Sequence, residues 1–414
     1  MNFPKVSIIM PSLNVVDYIQ ECMESVVNQT LKDIEIICVD AGSTDGTLEI
    51  LREYEEKDSR VKIILSDRKS YGYQMNLGME AATGEYIGIV ETDDYVAIDM
   101  FERLFITAKE SDAEIVKANF SRFVGEKENR VFSRAHIASK LRYYNRLLNP
   151  QIDPKLLMEA FYTWAGIYRR DFLFKNNIRH NETPGASYQD NGFYFQTMSC
   201  AEKIYLIKDN LYFLRRDNPN SSINSKEKVF FVCDEYDFIY NFLRLDPERY
   251  QRFLNAFWIN KFRAYYSTLN RIGPSYKLDF LKRFSEEFRR SLVNGEIDLK
   301  FFSHTDLDRY KRIVTDYEAY YYTNFFKEEE YPLPTSDKEK ISFYFKLMKA
   351  NEYQKLYYKR RYNATKNSTE YKLGSRLLYI PRKIRGGFRC VKENGFWYTI
   401  NHTIDKIKKF KKGK

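Results

Sequence analysis

The sequence predicts an α/β protein: a mostly parallel sheet flanked by helices, followed by a helical C-terminal extension. Three observations predict it. From residue 6 to residue 90, short apolar runs rich in β-branched residues alternate with stretches of helical spacing, which is the rhythm of βαβ units. The run Tyr86 to Val90 suits a strand buried on both faces, and Glu91, Asp93 and Asp94 follow it within four residues. After Lys226 the pattern changes to long helical periods heavy in Tyr and Phe, such as VFFVCDEYDFIYNFLRL.

Taken in order, Val6 to Met10 (VSIIM) reads as a buried strand and Pro11 to Asn14 as the loop leaving it. Ile19, Cys22, Met23 and Val26 then recur at helical spacing. Ile34 to Val39 is a second strand ending at Asp40, followed by the turn-rich loop Ala41 to Thr47 and a helix from Leu48. Val61 to Leu65 is a third strand, and helical pattern from Tyr73 to Ala82 closes at Gly84 before the Tyr86 strand. The loop after Asp40 carries Gly42 and Gly46 but neither GxGxxG nor GxxxxGK[ST], so no dinucleotide or P-loop fingerprint is present. Further on, Ile204 to Ile207 and Leu211 to Leu214 read as a hairpin that ends in Arg215 and Arg216.

The clustered acids admit two readings. Carboxylates at the carboxyl edge of a parallel sheet can hold a divalent cation shared with a diphosphate; they can equally form a polar turn that caps the next helix. What surrounds them decides for the first. VSIIMPSLN, then IICVDAGSTDGT, then YGYQMNLGMEAATGEYIGIVETDDY, in that order and spacing, resemble the GT-A domain of family 2 inverting glycosyltransferases, a Rossmann-like fold. The resemblance is close over residues 4 to 125 and looser over 126 to 225.

That resemblance implies a nucleotide-sugar donor, a Mn2+ or Mg2+ ion, and transfer to a glycan hydroxyl with an Asp as base. It places the nucleoside on Pro11, Ser12 and Asn14 of the first loop and on Asp40, with Gly42 beside it. It matches Glu91-Thr92-Asp93 to the family's DXD element, with Asp93 at metal and diphosphate, Glu91 on the ribose side and Asp94 adjacent as a further metal ligand. Arg68, Lys69 and Asn76 fall where the donor would be touched, although a solvated basic turn explains the first two as well. Asp190 of Tyr188-Gln189-Asp190 occupies the place of the base, with Glu182 as its rival near the acceptor; the bland alternative for Asp190 is a helix N-cap. Trp164 would stack on an acceptor sugar or fill the core. Arg215 or Arg216 would meet the diphosphate, since guanidinium suits phosphate geometry. Three positions depart from the family pattern: Ala41 replaces a second Asp, Glu91 the first Asp of DXD, and Gln189 a Glu.

The expected organisation is residues 1–225 as the GT-A domain (1–125 nucleotide-sugar half, 126–225 acceptor half), 226–350 as a helical extension and 351–414 as a basic amphipathic region. Two other function classes stay open. A sugar nucleotidyltransferase also needs acids on a sheet, but it would show a Gly-rich N-terminal loop with Arg and Lys, which Val6 to Asn14 lacks. A noncatalytic membrane-bound scaffold with a degenerate transferase domain is made thinkable by the three departures.

With 43% hydrophobic residues the 414-residue chain can fill real cores. Five dispersed cysteines without zinc spacing fit a reducing cytoplasm, and four histidines leave a carboxylate as the expected base. No run of about 18 apolar residues occurs, and the N-terminus lacks the basic region of a signal peptide. The net charge of +10 is concentrated: residues 372–414 hold thirteen Lys and Arg against two Asp and Glu, and the rest of the chain 54 against 55. A neutral body with one basic tail points to an anionic surface rather than to nucleic acid. In that tail Trp397, Ile400, Ile404 and Ile407 share a helical face, with lysines on the other, the composition of an interfacial helix. The expected location is cytoplasmic, peripheral on the inner face of the cell membrane, where a lipid-linked glycan acceptor would lie. Each engaged Lys or Arg contributes about 1 kcal/mol at an anionic surface, screened by salt. Deleting residues 372–414 should therefore abolish sedimentation with anionic liposomes. Binding of the full chain should fall steeply with salt and be poor on neutral liposomes; a full chain that ignores anionic liposomes removes the membrane role.

Overall fold

The computed structural model describes residues 4–326 except 160–161 and 222–227; the basic tail and its amphipathic face lie outside the described residues. The described part belongs to one compact unit. Its strands are β1 (Val6–Ser12), β2 (Ile34–Asp40), β3 (Val61–Leu65), β4 (Tyr86–Ile89), β5 (Tyr95–Val96), β6 (Ile115–Val124), β7 (Val131–Ala135), β8 (Leu147–Leu148), β9 (Gly166–Arg169) and β10 (Ile204–Arg215). They form one sheet in the order β3-β2-β1-β4-β9-β6-β10-β5, with β7 on β6 and β8 on β10. The first four are parallel, and β9 enters antiparallel between β4 and β6.

Helices α1 (Val16–Val27), α2 (Thr47–Lys57), α3 (Tyr71–Ala81) and α4 (Met100–Ser111) flank this half. The chain steps outward from β1 to β2 to β3 and then returns past β1 to β4. That reversal opens a crevice between the carboxyl ends of β1 and β4, the place where open α/β sheets bind ligands. Helix α3 lies tight against β1 because Gly78 carries no side chain there; an added Cβ would stand 2.5 Å from Ile9 Cγ2.

Two local expectations change. Pro11 and Ser12 belong to β1 rather than to a loop, paired with Val39 and Asp40. Proline is tolerated mid-sheet here because the β4 ladder stops at Ile9, so no strand partner is left without a donor. Residues 204–215 form a single strand instead of a hairpin. Lys208-Asp209-Asn210 becomes a bulge, with register shifts on either side of Asn210, held where Asn119 Nδ2 donates to the Lys208 carbonyl (2.9 Å). The extra residues are absorbed and the strand continues.

Beyond α5 (Arg170–Lys175) and α6 (Gln189–Cys200), α7 (Phe231–Arg244), α8 (Pro247–Arg271), α9 (Lys277–Val293), α10 (His304–Thr315) and α11 (Tyr317–Asn324) form the helical region. Its Tyr and Phe stripe is core: Phe253, Phe257, Phe262, Tyr265, Phe284 and Phe288 are fully buried. No described helix is long and apolar enough to cross a membrane.

Glu35, within the buried run of β2, is a feature the sequence reading did not single out. Its Oε1 accepts from Ser7 Oγ (2.6 Å), Thr83 N (2.6 Å) and Thr83 Oγ1 (2.8 Å), and its Oε2 from Lys62 Nζ (2.8 Å). It therefore ties β1, β2, β3 and the turn before β4 together. Burial pushes its pKa up, but Lys62, Ser7 and Thr83 more than reverse this and carry it from 4.5 down to about 2. A depressed folded-state value stabilises fully above the ordinary pKa, and the effect fades as pH falls from about 4.5 towards 2. Glu35→Gln should cost about 1–3 kcal/mol at pH 7, allowing for screening at the half-exposed Lys62. Urea unfolding should show that difference shrinking below about pH 4; an equal difference at pH 7 and pH 3 contradicts this account.

Candidate active site

The carboxyl ends of β4 and β1 are joined where Val90 N donates to the Ile9 carbonyl (3.0 Å) and Thr92 Oγ1 to the Pro11 carbonyl (2.8 Å). Around this junction lies a cavity of about 520 Å3, walled by Pro11 and Ser12, by Glu91 to Asp94, by Trp164, by Gly185 to Asp190 and by Leu214 to Arg216. Asp190, Asp93, Asp94, Glu91, Thr92, Arg215, Arg216, Trp164, Pro11 and Ser12 are thus brought together from segments up to some two hundred residues apart.

The three acids of the β4 end have different fates. Asp94 is buried (2% exposed), with Oδ2 accepting from Tyr212 OH and Oδ1 from Arg215 N, both at 2.7 Å. Burial, with Asp93 next to it, pushes its pKa well up. Asp93 faces the cavity, and its Oδ2 accepts from Asn218 Nδ2 (2.8 Å). Glu91 Oε1 accepts from Tyr71 OH (2.7 Å). Burial raises the Glu91 pKa to about 7 despite that bond, with Asp93 and Asp190 adding to the rise.

Asp190 arrives from the other wall. The loop before α6 is stitched to the start of α3, with Gly185 N donating to the Lys69 carbonyl (2.7 Å) and Tyr71 N to the Gly185 carbonyl (3.0 Å). Tyr188 caps α6 in the left-handed region (φ 64°), so Asp190 sits in the first helical turn and is not the cap. Its Oδ1 accepts from Asn191 N (3.0 Å). The side chain is open to the cavity yet walled by protein, and this desolvation raises its pKa. Gln189, in the place of the family's Glu, is occupied structurally: its Nε2 donates to Thr183 Oγ1 (2.9 Å), the Gly185 carbonyl (3.1 Å) and the Thr183 carbonyl (3.2 Å). A carboxylate could make none of these donations.

The two arginines separate clearly. Arg215 is buried, its Nη2 2.9 Å from Glu21 Oε2 and its guanidinium over the rings of Tyr18 and Phe123. Arg216 is exposed on the cavity wall. Trp164 joins both of its readings: it stacks between Tyr162 (4.6 Å) and Tyr212 (4.7 Å), is 8% exposed, and still borders the cavity.

Six expected site residues do not line it. Asp40 is fully buried; its Oδ1 accepts from Gly42 N (2.9 Å) and Ser43 N (2.8 Å), and its Oδ2 from Ser43 Oγ (2.6 Å) and Ser12 Oγ (3.1 Å). It braces the loop rather than offering an oxygen to a ligand. Gly42 (φ 81°) makes the turn this bracing needs. Asn14, also left-handed, takes Thr44 N on Oδ1 (2.9 Å). Asn76 is buried against the His180 carbonyl and Glu182. Glu182 pairs with Arg68 (3.3 Å), and Arg68 also lies over Tyr73. These pairings occupy Arg68, Asn76 and the rival base Glu182; of the three expected donor contacts Lys69 borders the cavity. His180 is sealed in the core, where burial lowers its pKa to about 3.

Sequence reasoning missed Tyr71, Tyr212, Asn218 and Glu21, which orient the acids and Arg215. Tyr71 sits within the quoted motif and was legible in part; the others lie too far along the chain for any local pattern to reveal them. Among the described residues no group of three or more His, Cys, Asp or Glu is arranged to hold a metal ion.

The glycosyl transferase family 2 model matches residues 7–173. Glycosyltransferase GlyG of Streptococcus pneumoniae serotype 4 is 32% identical over 215 residues, which are 51% of this chain and 70% of that protein. The uncharacterized glycosyltransferase EpsJ of Bacillus subtilis (strain 168) is 33% identical over 223 residues, 53% of this chain and 62% of EpsJ; the match thus spans less than two thirds of that relative. Among solved structures, S. aureus TarS 1-349 in complex with UDP superposes with a TM-score of 0.56 at 18% identity, covering 76% of this chain and 91% of that one. The mixed sheet, its reversal at β1 and β4 and these matches lead to one conclusion: the chain belongs to glycosyl transferase family 2, with a fold of the GT-A type.

Proposed function

We propose that this protein is an inverting glycosyltransferase that moves a sugar from a nucleotide sugar, a UDP-sugar, to a hydroxyl of a growing cell-surface glycan. One observation carries the reading: a single cavity at the sheet's reversal point holds Asp93 and Glu91 on one wall and Asp190 on the other. The UDP complex of the TarS neighbour makes uridine the first nucleotide to test.

The donor set suits a divalent cation. Asp93 and Glu91 are hard oxygen donors that each accept one side-chain hydrogen bond, from the Asn218 amide and the Tyr71 phenol, and both line the cavity. Mg2+ commonly takes one or two carboxylates and completes its shell with phosphate oxygens and water, so three protein ligands are not required. Asp93 would hold the ion; Asp94, committed to Tyr212 and Arg215, would support it from behind. When bound, Mn2+ or Mg2+ supplies positive charge against the leaving diphosphate.

The chain's own groups do the rest. Asp190, with its pKa raised by desolvation, takes the proton of the acceptor hydroxyl. The hydroxyl oxygen bonds to the anomeric carbon as the bond to the diphosphate oxygen breaks on the opposite face, and the nucleoside diphosphate leaves. Arg216 is the arginine available to the departing phosphates, since Arg215 is spent on Glu21 and on holding the β10 end. Peripheral attachment through the basic tail would bring this site to a lipid-linked acceptor. Of the three departures behind the degenerate-scaffold alternative, Gln189 is accounted for by its hydrogen bonds to the loop.

Asp190→Asn keeps the shape and removes the base, so transfer should fall roughly 10²–10⁴-fold while the affinity for UDP measured by calorimetry stays near wild type. In the same assay Asp93→Ala should lose metal-dependent UDP binding. Full activity in EDTA or in Asp93→Ala overturns the metal assignment, and an active Asp190→Asn beside a dead Glu182→Gln overturns the choice of base.

A further inference from the structure

A second cavity, of about 290 Å3, borders the first. The two share Thr163 and Asp190. Its other walls come from Tyr162, from Tyr194 on α6, from Tyr236 on α7 and from Asn260, Arg263 and Ala264 on α8. Helices α7 and α8 lie beyond residues 7–173, the part matched by the family model, so this wall is built by the helical region.

We infer that this second cavity is the acceptor subsite and that it takes a neutral pyranose ring at the end of a glycan. The inference rests on the transferase reading and deepens it.

Position comes first. A base must reach the attacking hydroxyl on one side and leave the donor on the other, and Asp190 is the carboxylate that borders both cavities. Ring chemistry comes second. Three tyrosines offer apolar faces with polar rims, and the volume lies at the small end of ligand pockets, roughly 300–1,000 Å3, which suits one or two sugar rings rather than a long chain. Charge comes third. Arg263 is already engaged, its Nε with Asp306 Oδ2 and its Nη1 with the Met158 carbonyl, both at 3.3 Å. Asp190 at the mouth and Glu159 on the wall outnumber Arg263, the one cation among the lining residues, which is already paired with Asp306, so an anionic acceptor would meet repulsion.

Hydrogen-bonding capacity remains. Asn260 uses Nδ2 on the Leu157 carbonyl (2.7 Å), and among the described residues its Oδ1 accepts no hydrogen bond. Among the same residues the Tyr236 hydroxyl has no hydrogen-bond partner; burial and the negative field of Asp190 raise its pKa, which keeps it protonated and able to donate to a sugar oxygen. Glu235, the residue before it, packs against Gly192 so closely that an added Cβ there would stand 2.0 Å from Glu235 Oε1. The glycine thereby lets α7 come down onto α6 and close the wall.

The test measures UDP release from UDP-glucose, UDP-galactose and UDP-N-acetylglucosamine by the full chain, alone and with the methyl β-glycosides of the same three sugars as probes. Wild type should release UDP slowly alone and faster with at least one glycoside. Ala264→Phe, which fills the cavity, should lower the ratio of glycoside-stimulated to unstimulated release at least tenfold while its UDP affinity and melting temperature show an intact fold. Tyr236→Phe, a milder change, should raise the glycoside KM several-fold with the donor KM unmoved. Stimulation that survives in Ala264→Phe with an unchanged glycoside KM overturns the subsite. Unstimulated release by wild type with no response to any glycoside overturns the neutral-pyranose assignment and leaves the transferase reading standing. No release from any donor, with or without glycoside, overturns that reading and the subsite with it.

Discussion

The buried carboxylate of Asp94 is the interaction on which the site depends. It follows β4, in the parallel half of the sheet, and accepts hydrogen bonds from Tyr212 and Arg215 at the end of β10, in the half that carries α6. A carboxyl group this buried is tolerable only with its oxygens satisfied, so the two ends must meet in this register. Once they do, Arg215 turns back to Glu21, Tyr212 stacks on Trp164, and Asp93 is left facing open space. A carboxylate that is almost wholly buried thus decides which of its neighbours faces the cavity.

Loop bracing follows the same logic on the other side of the crevice. Asp40 spends both oxygens on the loop it begins, and Gln189 spends its amide on the loop it ends. Each sits where a motif comparison expects a ligand contact or a catalytic acid, and each is a fastening. The walls of the cavity are rigid because these polar groups are consumed internally, and preorganised walls lower the ordering cost of binding. The departure at Gln189 therefore reads as a way of fixing backbone.

The helical region has a structural and a site-forming role. Its core is aromatic, and Lys261 and Arg283 neutralise Glu287 at its centre. Its α7 and α8 also reach the start of α6: Tyr188, the cap of that helix, hydrogen-bonds Thr268 Oγ1 (2.6 Å) and lies under Arg271. Tyr188, two residues before Asp190, is thus positioned by a helix that the family match does not include.

The strand and helix rhythm, the buried runs of β1, β2 and β4, the acids at the β4 end and Asp190 at a helix start were legible in the sequence, because buried parallel strands and amphipathic helices write their burial into local composition. What the tertiary structure alone decided was the state of each polar group. Asp94 rather than Asp93 is buried because Tyr212, 118 residues away, reaches it; Arg215 rather than Arg216 is spent because Glu21, 194 residues away, pairs with it. The stretch 204–215 runs on as one bulged strand because Asn119 of β6 holds the Lys208 carbonyl, where the local sequence reads as a turn. The second cavity exists only because α7 and α8 fold back over Asp190. Each outcome is a competition among distant hydrogen-bond partners and packing surfaces, which no local pattern records.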